Sequence, residues 1–153
     1  MSNLQLQPVG LAHIEVLAQL HRQCFRDAWT PKTFAEMLNG AGVFALLAVT
    51  ADGLPAGFAL ARVTVGEGEI LTIGVLPRRR EKGVGRALLA GLVGQVARTG
   101  GHCLFLEVAE SNRAARRLYE SSGFRAVGRR PNYYTDVLGK PEAAIIMRRD
   151  LSS

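Results

Sequence analysis

A chain of 153 residues, 48% hydrophobic and 21% charged, can bury roughly 70% of its unfolded surface around one core, which excludes disorder and a disulfide-dependent miniature fold. The formal net charge of +6 favours anionic partners, whether nucleic acid, a membrane surface or a phosphorylated small molecule, without choosing among them. The longest nearly apolar run, Ala41 to Ala51, is too short to span a bilayer, and Met1 to Gly10 show neither part of a secretory leader. The expectation is therefore one cytoplasmic domain over residues 1–153.

Taken in chain order, Leu4, Leu6 and Pro8 mark a short first strand. Ile14, Leu17, Ala18 and Leu20 recur at helical spacing and predict a helix from Leu11 to Phe25; Thr30-Pro31 opens a second carrying Phe34, Met37 and Leu38. Val43 to Val49, Gly57 to Val65 and Glu69 to Val75 follow as strands, with turns at Asp52-Gly53 and Gly66-Glu67-Gly68, an antiparallel meander. After Pro77, Val84, Leu88, Leu92 and Val96 give one helical stripe stopped by Gly100-Gly101. Cys103 to Val108 is nearly continuous apolar sequence, as in a central strand covered on both faces. Asn112 caps a helix reaching Ser122 and closed by Gly123, and Phe124 to Gly128 and Ala143 to Met147 are the last strands. The order β-α-α-β-β-β-α-β-α-β-β describes one α+β unit without repeats or linkers.

Cys24 and Cys103 lack metal-type spacing and read as small core residues; His13, His21 and His102 likewise read as structural or surface residues. Chemistry concentrates elsewhere. Ile73, Gly74 and Val75 end a strand that runs through Arg80, Glu81, Lys82 and Gly83 into a helix beginning Val84, Gly85, Arg86. The first N–H groups of such a helix have no internal partner and, with the helix dipole, attract an anion; Gly83 and Gly85 let a phosphate approach the backbone. The spacing matches neither GxxxxGK[ST] nor GxGxxG, because Leu88 stands where a third glycine belongs. Gly74 inside a strong strand marks either a bulge, where splayed backbone groups take up a ligand, or a packing contact.

The segment from Arg80 through Gly83 to Gly85 resembles the [QR]-x-x-G-x-[GA] acetyl-coenzyme A loop of the GNAT acetyltransferases, and Asn112 to Phe124 resembles that family's second motif. Leu106-Glu107-Val108, Leu118-Tyr119-Glu120-Ser121, Asn132-Tyr133-Tyr134 and Ala144-Ile145-Ile146-Met147 are similar to the bacterial ribosomal-protein alanine N-acetyltransferases within it. The resemblance implies a mostly antiparallel sheet of about seven strands, splayed in the middle and flanked by about four helices. It also implies acetyl-CoA as cosubstrate, no metal, and direct transfer to a primary amine, either a protein N-terminus or a small amine. The backbone from Ile73 to Val75 and from Arg80 to Arg86, with Asn112 and Tyr119, would hold the cofactor. Tyr119, otherwise a packing aromatic on the face of Ala115, would give its proton to the departing coenzyme thiolate.

Glu107 stands out on its own. Cys103, Phe105 and Glu107 share one strand face, so a carboxylate lands in an apolar stripe, where unpaired burial would raise its pKa towards that of a general base. The competing reading is a salt bridge to Arg113 or another arginine. Glu69 is a rival base at the mouth of the preceding strand. Tyr133 and Tyr134 read as a loop lining the acceptor side, and Trp29 either packs the first helices or faces the acceptor. A basic acceptor would need a local acidic groove, for which Asp27, Glu36, Asp136 and Glu142 are the candidates. The arginines also admit a nucleic-acid-binding module, although its aromatic pattern is missing.

Overall fold

The structure, a computed structural model, describes residues 3–136 and 138–151. Its elements are β1 (Gln5–Val9), a 3-10 turn (Leu11–His13), α1 (Ile14–Cys24), α2 (Pro31–Leu38), β2 (Val43–Val49), β3 (Pro55–Thr64), β4 (Glu67–Val75), a second 3-10 turn (Pro77–Arg79), α3 (Val84–Arg98), β5 (Cys103–Ala109), α4 (Arg113–Ser121), β6 (Arg125–Thr135) and β7 (Pro141–Asp150). The predicted order holds, as does the mixed α/β class. Seven strands form one sheet in the order β1-β2-β3-β4-β5-β7-β6, and among the described residues only β4 and β5 run parallel. A parallel pair needs a crossover, which α3 supplies.

Strand alternation sorts the core into two layers. Leu46 and Ala48 of β2, Ala59 and Ala61 of β3, Leu104 and Leu106 of β5 and Ile145 and Met147 of β7 pack with α3 and α4. Ala45, Leu47 and Val49 of β2 and Phe58 and Leu60 of β3 pack with α1 and α2 on the other face. Leu88, Leu89 and Leu92 of α3 are no more than 1% exposed; burying one such side chain is worth about 1.5–3 kcal/mol. The second layer stops short of β5, β7 and β6. The expectation that β5 is covered on both faces is therefore corrected: Leu104, Leu106 and Val108 are buried, whereas Phe105 and Glu107 line an open groove.

Three local readings change. The β3–β4 turn is Val65-Gly66, both at positive φ (49° and 80°), so Glu67 and Gly68 belong to β4; Val65, 95% exposed, sits in a region that a β-branched residue seldom adopts. The first helix begins with a 3-10 turn before α1. Strand β6 continues past Gly128 to Thr135, so Tyr133 and Tyr134 lie on an edge strand and not in a loop. Pro131 is tolerated there because an edge strand has one row of N–H groups without a neighbour.

At the helix ends the local chemistry is ordinary. Thr30 caps α2, its Oγ1 accepting from Thr33 N–H at 3.1 Å, with Pro31 at the first helical position. His21, 3% exposed, is the pin of the α1–α2 layer. Its Nδ1 accepts from Trp29 N–H at 3.0 Å, which leaves Nε2 to donate to Thr72 Oγ1 at 3.1 Å. Phe25, Trp29, Phe34 and Phe58 surround the ring at centroid distances of 4.4 to 5.5 Å.

Burial lowers the His21 pKa from 6.5 to about 4. Between those values the unfolded chain binds a proton that the folded chain refuses, so stability is present above pH 6.5 and is lost as pH falls through this window. Thermal unfolding at pH 7.5 and 4.5 should show wild type losing Tm on acidification and a His21→Asn variant losing less of it. Equal losses would assign the pH dependence to other groups.

Candidate active site

The site begins where β4 and β5 part. They pair only at Glu67 with Cys103, Gly68 with Leu104 and Glu69 with Phe105, with His102 N–H donating to Gly66 O at 2.7 Å below them. Beyond Glu69, β4 stays with β3 and β5 with β7. The cause is a bulge: Leu60 faces Thr72 and Ala61 faces Ile70, leaving Leu71 unmatched, and such an insertion bends its strand. Backbone groups on the free edge of β4, through Ile73 to Val75, therefore face the gap.

Gly74, expected to mark the bulge or the close approach, has another use. A Cβ there would stand 2.7 Å from the Phe58 ring and 3.2 Å from Cys24 Cβ, so it is a packing glycine beneath α1.

The loop after β4 is shaped by two left-handed residues, Glu81 at φ 61° and Gly83 at φ 83°. Among the described residues no N–H from Glu81 to Arg86 donates to a backbone carbonyl. Six consecutive positions thus present donors at the start of a helix with the exposed Lys82 beside them, an anion cradle. The two glycines divide the work: Gly83 has open space around it, whereas a Cβ on Gly85 would lie 2.8 Å from Leu118, so Gly85 serves the packing of α3 on α4. Arg80 turns back, its Nε donating to Val75 O at 3.1 Å, and Arg86 ties α3 to α4 through Ser121 Oγ at 2.9 Å.

On the face left uncovered by α1 and α2 lies a groove of about 610 Å³, lined in part by Arg62, Glu67, Glu69, Phe105, Glu107 and Arg130. Glu107 is not unpaired. Arg130 reaches its Oε1 at 3.0 Å, and the carboxylate side chain is 23% exposed, so the salt-bridge reading holds with Arg130 in place of Arg113. Its Oε2 is buried and has no partner, a deficit that costs about 1–3 kcal/mol or more for a charged group. Glu69, the rival, sits at the exposed mouth bound to Arg62 at 2.8 Å.

The acidic lining comes from Glu67, Glu69 and Glu107 rather than from the residues expected. Asp136 caps its own turn, accepting from Leu138 and Lys140 N–H, and Glu142 holds the N–H and hydroxyl of Ser111.

Tyr119 enters from the opposite side of the sheet. It is 8% exposed and packs edge-on against Phe124; burial first, and Tyr134 second, push its pKa up to about 12. Tyr134 in turn is raised by burial and then by Glu107, so it stands within electrostatic reach of both candidates. Tyr133 packs at 5.0 Å from Tyr134 and beneath Arg130. Asn112 Oδ1 caps α4 by accepting from Ala115 N–H at 3.2 Å. Trp29 packs between His21 and Phe34, the first of its two readings.

Both cysteines are free, and burial pushes both thiols up, which disfavours the thiolate a nucleophile needs. Sequence reasoning missed Arg130, Arg62 and Phe105; the signal was the continuation of β6 past Pro131, which aims Arg130 at Glu107.

Residues 14–124 match the model of the acetyltransferase (GNAT) family. The [ribosomal protein bS18]-alanine N-acetyltransferase of Escherichia coli is 40% identical over 124 residues, 81% of this chain and 82% of that one. The enzyme of the same name from Haemophilus influenzae is 34% identical over 143 residues, 93% and 95% of the two chains. The crystal structure of the Escherichia coli ribosomal-protein-S18-alanine N-acetyltransferase superposes with a TM-score of 0.90 at 31% identity, covering 98% and 95%. With a parted parallel pair, an N–H cradle and an acidic groove meeting at one place, the chain belongs to the GNAT acetyltransferase family.

Proposed function

We propose that this protein takes the acetyl group of acetyl-CoA and transfers it directly to the N-terminal α-amine of a protein, such as a ribosomal protein beginning with alanine. The observation that carries the reading is Glu107 Oε2, a buried carboxylate oxygen without a partner on the wall of a groove that opens at the parting of β4 and β5. The names of the relatives support the same class of acceptor. The acidic lining of the groove suits a basic N-terminal segment on a chain whose overall charge is +6. Among the described residues no helix is long and apolar enough to cross a membrane, and a cytoplasmic acceptor fits this reading.

In this mechanism the N–H groups from Glu81 to Arg86 would hold the cofactor's pyrophosphate, and the free edge of β4 from Ile73 to Val75 would bond its amide arm. Acetyl-CoA supplies an activated thioester. An α-ammonium group, which ordinarily titrates near pH 8, must shed a proton before its nitrogen has a lone pair for attack. Glu107 Oε2 accepts that proton directly or through water. As the C–N bond forms and the C–S bond breaks, the Tyr119 phenol gives its proton to the sulfur, and the second proton that the nitrogen sheds on becoming an amide passes to water, which in turn reprotonates the phenolate; a phenol titrating at about 12 is protonated throughout the working range. Asn112 keeps α4, and with it Tyr119, in place. Tyr133 and Tyr134 wall the acceptor side, with Glu69 at the mouth and Trp29 holding the adjoining α1–α2 loop.

Tandem mass spectrometry of peptides incubated with enzyme and acetyl-CoA should find the added acetyl group on an N-terminal alanine rather than on an internal lysine; preference for lysine would reassign the acceptor. The two proton roles separate by pH. Glu107→Gln should lower kcat/KM at neutral pH with partial recovery as alkali deprotonates the amine, whereas Tyr119→Phe should reduce turnover by roughly 10²-fold with little change in acetyl-CoA affinity. Wild-type turnover in Tyr119→Phe under chemistry-limited conditions would leave the thiolate to take its proton from water.

A further inference from the structure

The ion pair between Glu107 and Arg130 is asymmetric. One carboxylate oxygen is held at 3.0 Å, and the other is buried and free. Arg130 is itself constrained. Its guanidinium carbon lies 5.1 Å from the Tyr133 ring centroid, a cation–π contact that fixes its direction. A bulge does the rest: Arg130 pairs with Ala144 and Tyr134 with Glu142, so Pro131, Asn132 and Tyr133 all stand opposite Ala143. Asn132 takes up the strain at φ 58°. The bulge brings Arg130 and Tyr134 to bear on the same carboxylate.

A carboxylate needs no arginine to be ionised at neutral pH, because its ordinary pKa is near 4. A guanidinium is positive at every working pH, so its charge acts on the other titrating group that enters the groove, the acceptor amine. A fixed positive charge within a few ångströms disfavours an ammonium relative to the neutral amine.

The remaining charged or titratable groups around this point do not cancel that charge. Arg62 of β3 and Glu69 of β4 neutralise each other at the mouth, and Glu67 of β4 lies with them at the β3–β4 end of the groove. Tyr134 of β6 is kept protonated by burial. On β7, Ile146 stands opposite Glu107, Arg148 lies over Phe105 two residues along and is neutralised by Asp150, and Glu142 is held at its far end by Ser111.

We propose that Arg130 is a positioning residue for the acceptor amine: it fixes Glu107 through Oε1, reserves Oε2 for the amine hydrogen, and keeps a permanent positive charge beside the point of attack. The proposal rests on the reading that the amine meets Glu107. It predicts a pattern opposite to that of a residue that merely grips the peptide. Without Arg130 the lone carboxylate binds the ammonium form better but surrenders it less readily, so KM does not rise while kcat falls.

The test is steady-state kinetics from pH 6 to 10 with an alanine-initiated peptide and saturating acetyl-CoA, on wild type, Arg130→Gln, Arg130→Lys and Glu107→Gln, each checked for an unchanged Tm. Arg130→Gln should lower kcat about tenfold at pH 7 with KM unchanged or lower, and the deficit should close towards pH 10 as the amine deprotonates in solution. Arg130→Lys should restore most of kcat. A raised KM at constant kcat would make Arg130 a peptide contact, a raised kcat would make it a competitor for the base, and a deficit independent of pH would make it structural; each overturns the proposal. If Glu107→Gln retains wild-type kcat/KM, the base assignment falls and the role of Arg130 falls with it. A normal Glu107→Gln defect beside a pH-independent Arg130→Gln defect removes the Arg130 role alone.

Discussion

Three residue pairs hold β4 to β5, and the brevity of that contact governs the rest of the molecule. A parallel pair that continued to the strand ends would satisfy both edges and close the sheet. Here the Leu71 bulge turns β4 away after Glu69, leaving an interior edge with unpaired N–H and C=O groups. Such an edge is ordinarily a liability. In this fold it lies inside the sheet, with α3 and α4 on one face and the acidic groove on the other. The same divergence points the end of β4 at the start of α3, which sets the N–H cradle of Glu81 to Arg86 in line with the gap.

The second organising feature is the unequal cover of the two faces. Helices α3 and α4 span the sheet from β2 to β7 on one side, whereas α1 and α2 pack on β2, β3 and β4. Phe105, Glu107 and Ile146 therefore face solvent across a groove instead of a helix. The charge distribution follows this division. Lys82 and the arginines of the β4–α3 loop stand beside the cradle, and Glu67, Glu69 and Glu107 line the groove against Arg62 and Arg130. A chain that is basic overall thus offers an anion site on one side of the gap and a cation-tolerant site on the other, which long-range net charge alone would not reveal.

Much of this was legible in the residues. The parity of β5 put Glu107 on the face opposite Leu104 and Leu106, the spacing of Val84, Leu88, Leu92 and Val96 defined α3, and Asn112 did cap α4. What escaped was long-range pairing. Pro131 interrupts the alternation of β6, so Tyr133 and Tyr134 looked like loop residues; only the neighbouring β7 shows that the strand continues through a bulge. The partner of Glu107 was undetermined for the same reason, since its choice among arginines depends on a register set by Asn132. Gly74 and Leu71 show the converse. Glycine is the residue that invites a bulge reading, yet the bulge falls on Leu71 and the glycine makes room for Phe58, a contact visible only once α1 is laid on β3 and β4.

Fold and chemistry also agree on the pH range in which they operate. On the acid side the obstacle to attack is the acceptor's own proton, since an α-ammonium titrates near 8, and acid also charges the unfolded form of His21 while its folded form resists protonation until about 4. On the alkaline side the limit is the proposed donor, and burial holds the Tyr119 proton to about 12. Between these bounds lies a region, neutral to moderately alkaline, in which the amine is increasingly free, the donor is still loaded and the α1–α2 layer is intact. The two burials that define it serve different ends: His21 is buried so that its two ring nitrogens can join the α1–α2 loop to β4, and Tyr119, in its proposed role as donor, is buried so that its proton is retained. Desolvation pushes the imidazole pKa down and the phenol pKa up because it penalises the charged form of each. One physical cause therefore sets both a structural and a proposed catalytic boundary in the same sheet.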